Sequence, residues 1–288
     1  MEFTILYRGS LKSCNFHCAY CPFAWKKIVH QDLETDKAGI SRFIEFIENS
    51  QHHYRILFTP YGEAMIHAYY REAMVRLSKL PNVIKVAVQT NGSFSVTADD
   101  WLDRIAADTA AFWLSFHPEQ ISLEQFTNQY QALLDRNLRF SCGVVGIKTN
   151  IPTIRQLRAT LPQFVYMWIN AYKRWHGYYT DKEIEELVLL DPLFNNNLHY
   201  YPSRGHICRT GQEIFSVDEK GDIRRCHFVD TIIGNISEND MANLHCSPHC
   251  PNDTCHCHIG YIYLPELHQH SIYGDGMLER IPCQYKMG

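Results

Sequence analysis

The chain has 288 residues, of which 45% are hydrophobic and 20% charged, with a formal net charge of −4. That length admits one barrel-sized domain or a partial barrel with a small appendage, and the charge supplies no basic field for a long nucleic acid. No apolar run approaches the roughly 18–20 residues of a membrane span. Met1 to Tyr7 lacks the basic start and long apolar stretch of a secretory signal, so a cytoplasmic location with no membrane partner is expected.

Along the first 175 residues, apolar, β-branched or aromatic runs recur at Phe3–Tyr7, Tyr54–Thr59, Val83–Gln89, Ala111–Phe116, Leu138–Ile147 and Phe164–Ile169. Helical patterns lie between them at Ile40–Asn49, Ala68–Leu80, Ala98–Ala107, Leu123–Leu134 and Ile154–Leu161. Asp36 and Thr97 read as N-cap neighbours, and Pro81 as a stop. Six strands linked by crossover helices predict an α/β fold with a parallel sheet. A further helix at Lys182–Leu189 leads to Asp191-Pro192 and Asn195-Asn196-Asn197, where the pattern breaks. The predicted boundary therefore divides residues 1–192 from a Cys-rich segment, 193–288. Periodicity is weak beyond it, and such a segment is expected to bury little apolar area and to depend on bound metal.

The chain holds 11 Cys and 16 His. With no export signal, clustered cysteines point to metal rather than disulfides. After the first strand comes Ser13-Cys14-Asn15-Phe16-His17-Cys18-Ala19-Tyr20-Cys21, a Cys-x3-Cys-x2-Cys triplet with an aromatic before its last thiol. Three thiolates on one loop suit three irons of a [4Fe–4S] cube and leave the fourth iron for another ligand. A structural zinc loop would instead pair Cys-x2-4-Cys with a distant second pair. The triplet resembles the signature of the radical S-adenosylmethionine (radical SAM) superfamily. This resemblance implies a partial (β/α)6 TIM-like barrel, with Cys14, Cys18 and Cys21 holding the cluster and S-adenosylmethionine on its open iron.

Barrel sites lie at the C-terminal ends of strands, and the motifs found there match in register. Thr59-Pro60-Tyr61-Gly62-Glu63 is similar to the Gly-Gly-Glu motif of the superfamily, with Tyr61 in place of its first glycine. The resemblance implies that Glu63 receives the methionine ammonium. It further implies cofactor contacts at Tyr20, Gly62, Thr90, Asn91, Ser115, Val144 and Asn170. The small residues of Cys142-Gly143-Val144-Val145-Gly146 would let adenine lie against the sheet. His117, Lys173 and Cys142 are candidate catalytic groups: Lys173, with Arg174, could meet an anionic substrate, and a lumen-facing Cys142 thiol could donate hydrogen. Each also has an ordinary structural reading, as strand-end polar group, solvated helix start or core.

The second half carries Cys208, then Gly221-Asp222-Ile223-Arg224-Arg225-Cys226, then Cys246, Cys250, Cys255, Cys257 and Cys283. This is similar to the auxiliary-cluster extensions (SPASM and twitch modules) of radical SAM enzymes, in which a hairpin carries the first pair. Glu213–Asp218 and Ile223–Cys226 fit such a hairpin. The resemblance implies one auxiliary [4Fe–4S] cluster on Cys208, Cys226, Cys255 and Cys257, with Cys246 or Cys250 as alternatives. A zinc knuckle using His245, His249, His256 or His258 is the competing reading, and Cys283 is either a ligand or free.

Taken together, these residues lead us to expect an enzyme that reductively cleaves S-adenosylmethionine and abstracts hydrogen from a small-molecule or peptide substrate. A flavodoxin- or ferredoxin-type reductant would serve it. The alternative is an iron–sulfur or zinc regulatory protein without catalysis.

Overall fold

The computed structural model describes residues 1–23 and 29–285. Six strands, β1 (Glu2–Tyr7), β2 (His53–Phe58), β3 (Val83–Thr90), β4 (Ala110–Phe116), β5 (Arg139–Val145) and β6 (Met167–Asn170), pair in parallel and in chain order. Helices α1 (His30–Asn49), α2 (Ala68–Ser78), α3 (Trp101–Arg104), α4 (Leu123–Leu134) and α5 (Ile151–Thr160) connect them. Side chains alternate between the faces of a strand. Thus Ile5 and Tyr7 face the helices, with Phe43, Phe58 and Tyr70, while Leu6 faces the opposite side.

The six predicted strands and five crossover helices are all present, with shifted ends. The sheet is a partial barrel that does not close. α1 begins ten residues earlier than the pattern suggested. Asp36 is therefore no cap: it is buried within α1, accepting hydrogen bonds from Leu11 N at 3.0 Å and Tyr69 Oη at 2.9 Å. The helix expected over Ala98–Ala107 shrinks to Trp101–Arg104 after a 3-10 turn, because Asp99 and Asp100 adopt left-handed backbone (φ 60° and 47°) that no α-helix continues through. Asp191, after α6 (Asp181–Leu190), is buried and accepts from Ile169 N at 2.8 Å and Tyr166 Oη at 2.7 Å, which ties the connection back to β6.

After a short helix α7 (Phe194–Leu198) come β7 (Tyr201–Pro202), β8 (Ile214–Val217), β9 (Asp222–Arg224), β10 (Ile232–Asn235) and β11 (Thr254–Cys255). β8 joins the edge of β1 in parallel, and β9 and β10 follow antiparallel, so one nine-stranded sheet runs β10-β9-β8-β1-β2-β3-β4-β5-β6. The predicted hairpin is thus a continuation of the barrel sheet.

The tail corrects one expectation. Ile259, Tyr261, Ile262, Tyr263, Leu264 and Leu278 are all buried, packed on the inner barrel face against Leu6, Leu57, Trp113 and Trp168. Burying each contributes about 1.5–3 kcal/mol, so apolar contact contributes much of what seats this part of the tail. Ile259–Leu264 carries no amphipathic period because it is enclosed on all sides, which is why periodicity missed it.

Gly143 on β5 faces the same lumen. A Cβ there would lie 1.9 Å from the Trp168 indole, so the ring occupies the space that a small residue leaves. Gly143→Ala should displace Trp168 and cost about 1–3 kcal/mol, read as a lowered thermal midpoint.

Candidate active site

The loop after β1 is held by backbone pairing to the turn after β2. Gly62 N donates to Leu11 O at 2.9 Å and Glu63 N to Ser13 O at 3.0 Å. A Cβ at Gly62 would lie 2.0 Å from Ser13 O, so only glycine permits this approach. The substituted first position, Tyr61, lies under the Arg8 guanidinium, 4.7 Å from the ring centroid.

This pairing brings Cys14, Cys18 and Cys21 to one cavity of about 170 Å³, lined also by Gly62, Glu63, Thr90, Asn91, Ser115 and His117. Cys14 Sγ accepts from Phe16 N at 3.4 Å and Asn91 Nδ2 at 3.6 Å. His117 Nδ1 lies 3.3 Å from Cys18 Sγ and 2.7 Å from Tyr20 Oη. Burial pushes the Cys14 and Cys18 thiols up to about 11 and pulls His117 down to about 4. Thiols so enclosed lose their proton when a cation is there to take the thiolate.

Glu63 is 3% exposed. Its carboxylate accepts from Thr90 Oγ1 at 2.5 Å, Asn91 N at 2.6 Å and Met65 N at 2.9 Å. Burial raises its pKa, and these donors oppose the rise. The carboxylate thereby locks the ends of β2 and β3 together while lining the cavity beside the thiols.

A second cavity of about 710 Å³ adjoins the first, sharing Cys21, Phe23, Gln89, Ser115 and His117. Tyr20, Asn170, Lys173 and Arg174 line it, and among the described residues no carboxylate does. Lys173 Nζ donates to His256 O at 2.7 Å, and burial lowers its pKa to about 8. Asn170 Oδ1 accepts from Arg280 Nη1 at 2.7 Å. Arg280 is fully buried, its guanidinium 4.7 Å and 5.4 Å from the Trp168 and Trp113 ring centroids. No motif announced Arg280, because a lone arginine near a chain end reads as surface.

Two sequence candidates move away from the site. Cys142 is fully buried with Phe140 and Val144 on the helix-facing side of β5, so it cannot serve as a lumen thiol. Val144 shares that side; its neighbour Val145 lines the second cavity instead.

The tail cysteines gather at a third cavity, of about 360 Å³, lined by Cys208, Cys226, Cys250, Cys255 and Cys257. Arg225, unremarked in the sequence, assembles it by donating to the carbonyls of Thr210 (3.1 Å), Ser247 (2.9 Å) and His249 (2.5 Å). The β7–β11 ladder places Cys255, and Cys208 N donates to Pro248 O at 2.9 Å. Cys246 does not line this cavity; its sulfur packs near Gly211, and Cys283 is exposed. Of the histidines, His258 is enclosed by Trp113, Tyr261 and Tyr273, and His249 Nδ1 pairs with Gly205 O at 2.9 Å. Among the described residues, no three Cys, His, Asp or Glu side chains come close enough to hold a single metal ion.

No protein-family model matches the sequence, and no curated protein does. Solved structures do match its fold. Native anSMEcpe with bound AdoMet aligns over 82% of this chain and 78% of its own, at 15% identity and a TM-score of 0.52. Its complex with AdoMet and the Cp18Cys peptide aligns over 83% and 78%, at 14% identity and 0.53. Streptococcus suis SuiB bound to S-adenosylmethionine aligns over 83% of this chain and 64% of its own, at 15% identity and 0.55. The fold is that of the radical SAM enzymes.

Proposed function

We propose that this chain, which has the radical SAM fold, is a radical SAM enzyme that uses Cys14, Cys18 and Cys21 to hold a [4Fe–4S] cluster. The observation that carries the reading is the convergence of three loop thiols, Glu63 and Ser115 on one cavity at the C-terminal ends of parallel strands. Bound there, cluster and S-adenosylmethionine would supply a 5′-deoxyadenosyl radical, and the protein's share is position and exclusion of water. Glu63 orients the cofactor's ammonium; Thr90 and Asn91 hold that carboxylate in place; Gly62 keeps the cysteine loop docked. Tyr20, Asn170, Lys173 and Arg174 border the adjoining cavity, where the substrate sits. Its cationic wall suits an anionic group on a peptide or small molecule. The fold's likeness to a peptide-bound anSMEcpe complex supports a peptide. Thiols of the third cavity hold an auxiliary cluster that takes part in oxidation or bond formation, and a flavodoxin- or ferredoxin-type protein is the reductant.

The test is anaerobic purification with iron and sulfide counting, then an assay for 5′-deoxyadenosine with dithionite. Clusters without cleavage would favour a regulatory iron–sulfur protein instead. Glu63→Gln should retain the cluster absorbance and bind S-adenosylmethionine about 10- to 100-fold more weakly, the worth of one charged hydrogen bond. Equal affinity for both proteins in anaerobic calorimetry would place the ammonium contact elsewhere.

A further inference from the structure

The second cavity opens onto a band of exposed and half-buried rings. Tyr172, Lys173 and Arg174 line it, and the chain then leaves it through Trp175-His176-Gly177-Tyr178, turning at Gly177, whose φ of 64° is left-handed. Hydrogen bonds fasten this turn to the segment after β5. Tyr179 Oη accepts from Tyr172 N at 2.8 Å and donates to Gly146 O at 2.5 Å, and Tyr178 Oη accepts from Lys148 N at 3.1 Å. Trp175 is not needed for that anchoring and remains 60% exposed. Its ring centroid lies 5.5 Å from that of Tyr172 and 6.0 Å from that of Tyr178, and those two are 4.9 Å apart. Clustered apolar rings left in water mark an interaction site, and Trp, Tyr and Arg carry most of the binding energy at protein surfaces. Charge is unequal along the band. Lys148, 5.3 Å from the Tyr178 ring centroid, is neutralised by Glu183 at 2.8 Å. Lys173 Nζ donates to the carbonyls of His256 and His199, and among the described residues neither it nor Arg174 pairs with a carboxylate. The unneutralised charge therefore lies at the cavity end, and the apolar rings lie beyond its rim.

Resting on the reading that the second cavity holds the substrate, we propose that Tyr172, Trp175 and Tyr178 form a docking shelf for an acidic peptide segment. A carboxylate side chain of that segment meets Lys173 and Arg174 in the cavity, and a nearby aromatic or large apolar residue lies on the shelf. A compact metabolite held in the cavity leaves the shelf uncovered, since Trp175 and Tyr178 stand outside the cavity lining. A chain-like ligand covers both. Because the turn is already anchored, binding orders little of the protein.

The bait for the test is the full chain, loaded anaerobically with iron and sulfide, with S-adenosylmethionine in solution; the probe is a displayed library of short random peptides. Selection should enrich peptides that carry Asp or Glu near Phe, Tyr, Trp or Leu. Fluorescence anisotropy of the tightest of them should show Trp175→Ala binding about 10- to 100-fold more weakly than the parent. Arg174→Glu should weaken it comparably and, used as bait, should select Lys and Arg in place of Asp and Glu. Both side chains are exposed, so circular dichroism should be unchanged in either variant. Enriched peptides that bind both variants as tightly as the parent overturn the shelf. The parent's 5′-deoxyadenosine formation with dithionite is read separately. A parent that cleaves S-adenosylmethionine but enriches no such peptide overturns the shelf alone. Enrichment without cleavage keeps the shelf and overturns the enzyme reading.

Discussion

Replacing Cys14, Cys18 and Cys21 together by Ala is expected to reduce 5′-deoxyadenosine formation with dithionite to background. A methyl group cannot ligate iron, and among the described residues no other cysteine lines that cavity to substitute. The loop itself should survive, because Gly62 N to Leu11 O and Glu63 N to Ser13 O are backbone contacts that the substitutions leave intact. Near-unchanged circular dichroism and thermal midpoint would therefore accompany the loss, and separate missing chemistry from missing fold. Cleavage at the wild-type rate in this protein would refute the radical SAM reading outright.

The crossover helices were legible because each buries one face, which imposes a period, and the strands because burial on both faces makes them near-continuous apolar runs. The cysteine loop was legible for a different reason: its chemistry needs three thiols within a few residues, and that spacing is local. What escaped the sequence was non-local. Asp36 looks like a cap, since nothing in the sequence shows that Leu11 and Tyr69 will satisfy it inside a helix. Gly143 looked like room for a nucleobase, because the Trp168 ring that fills the space arrives from the next strand. Arg225 and Arg280 pair with backbone carbonyls and amide oxygens contributed by segments distant in the chain, and such partners leave no motif. Cys142 shows the limit of alternation: parity along β5 separates it from Ser141, but which parity faces the lumen is decided by the packing of the helices.

The largest stability effect should come from the base of the barrel, where the tail is locked by charge. Lys85, on β3, has a side chain 3% exposed, and its Nζ lies 2.7 Å from Glu279 Oε1 and 2.9 Å from Asp275 Oδ2. Glu279 is fully buried; Arg139 reaches it at 2.9 Å, while its Oε2 has no hydrogen-bond partner among the described residues. A buried carboxylate stripped of its nearest cation costs far more than the pair ever contributes. Lys85→Met should therefore destabilise the protein by about 3–5 kcal/mol in denaturant titrations. Lys85→Met with Glu279→Met removes both charges and should recover much of that loss, because similar apolar volume replaces the pair. Asp275 adds a dependence on pH. Burial opposes ionisation, but Lys85 and Arg55 prevail and hold its pKa near 2, below the ordinary 3.8. Its contribution is thus complete above pH 3.8 and lost as the pH falls to about 2. In Lys85→Met that acid-sensitive step should shrink, with the tail's release followed by Trp113 and Trp168 fluorescence. A double variant no more stable than Lys85→Met alone would show that the lysine acts through its packing and not through Glu279.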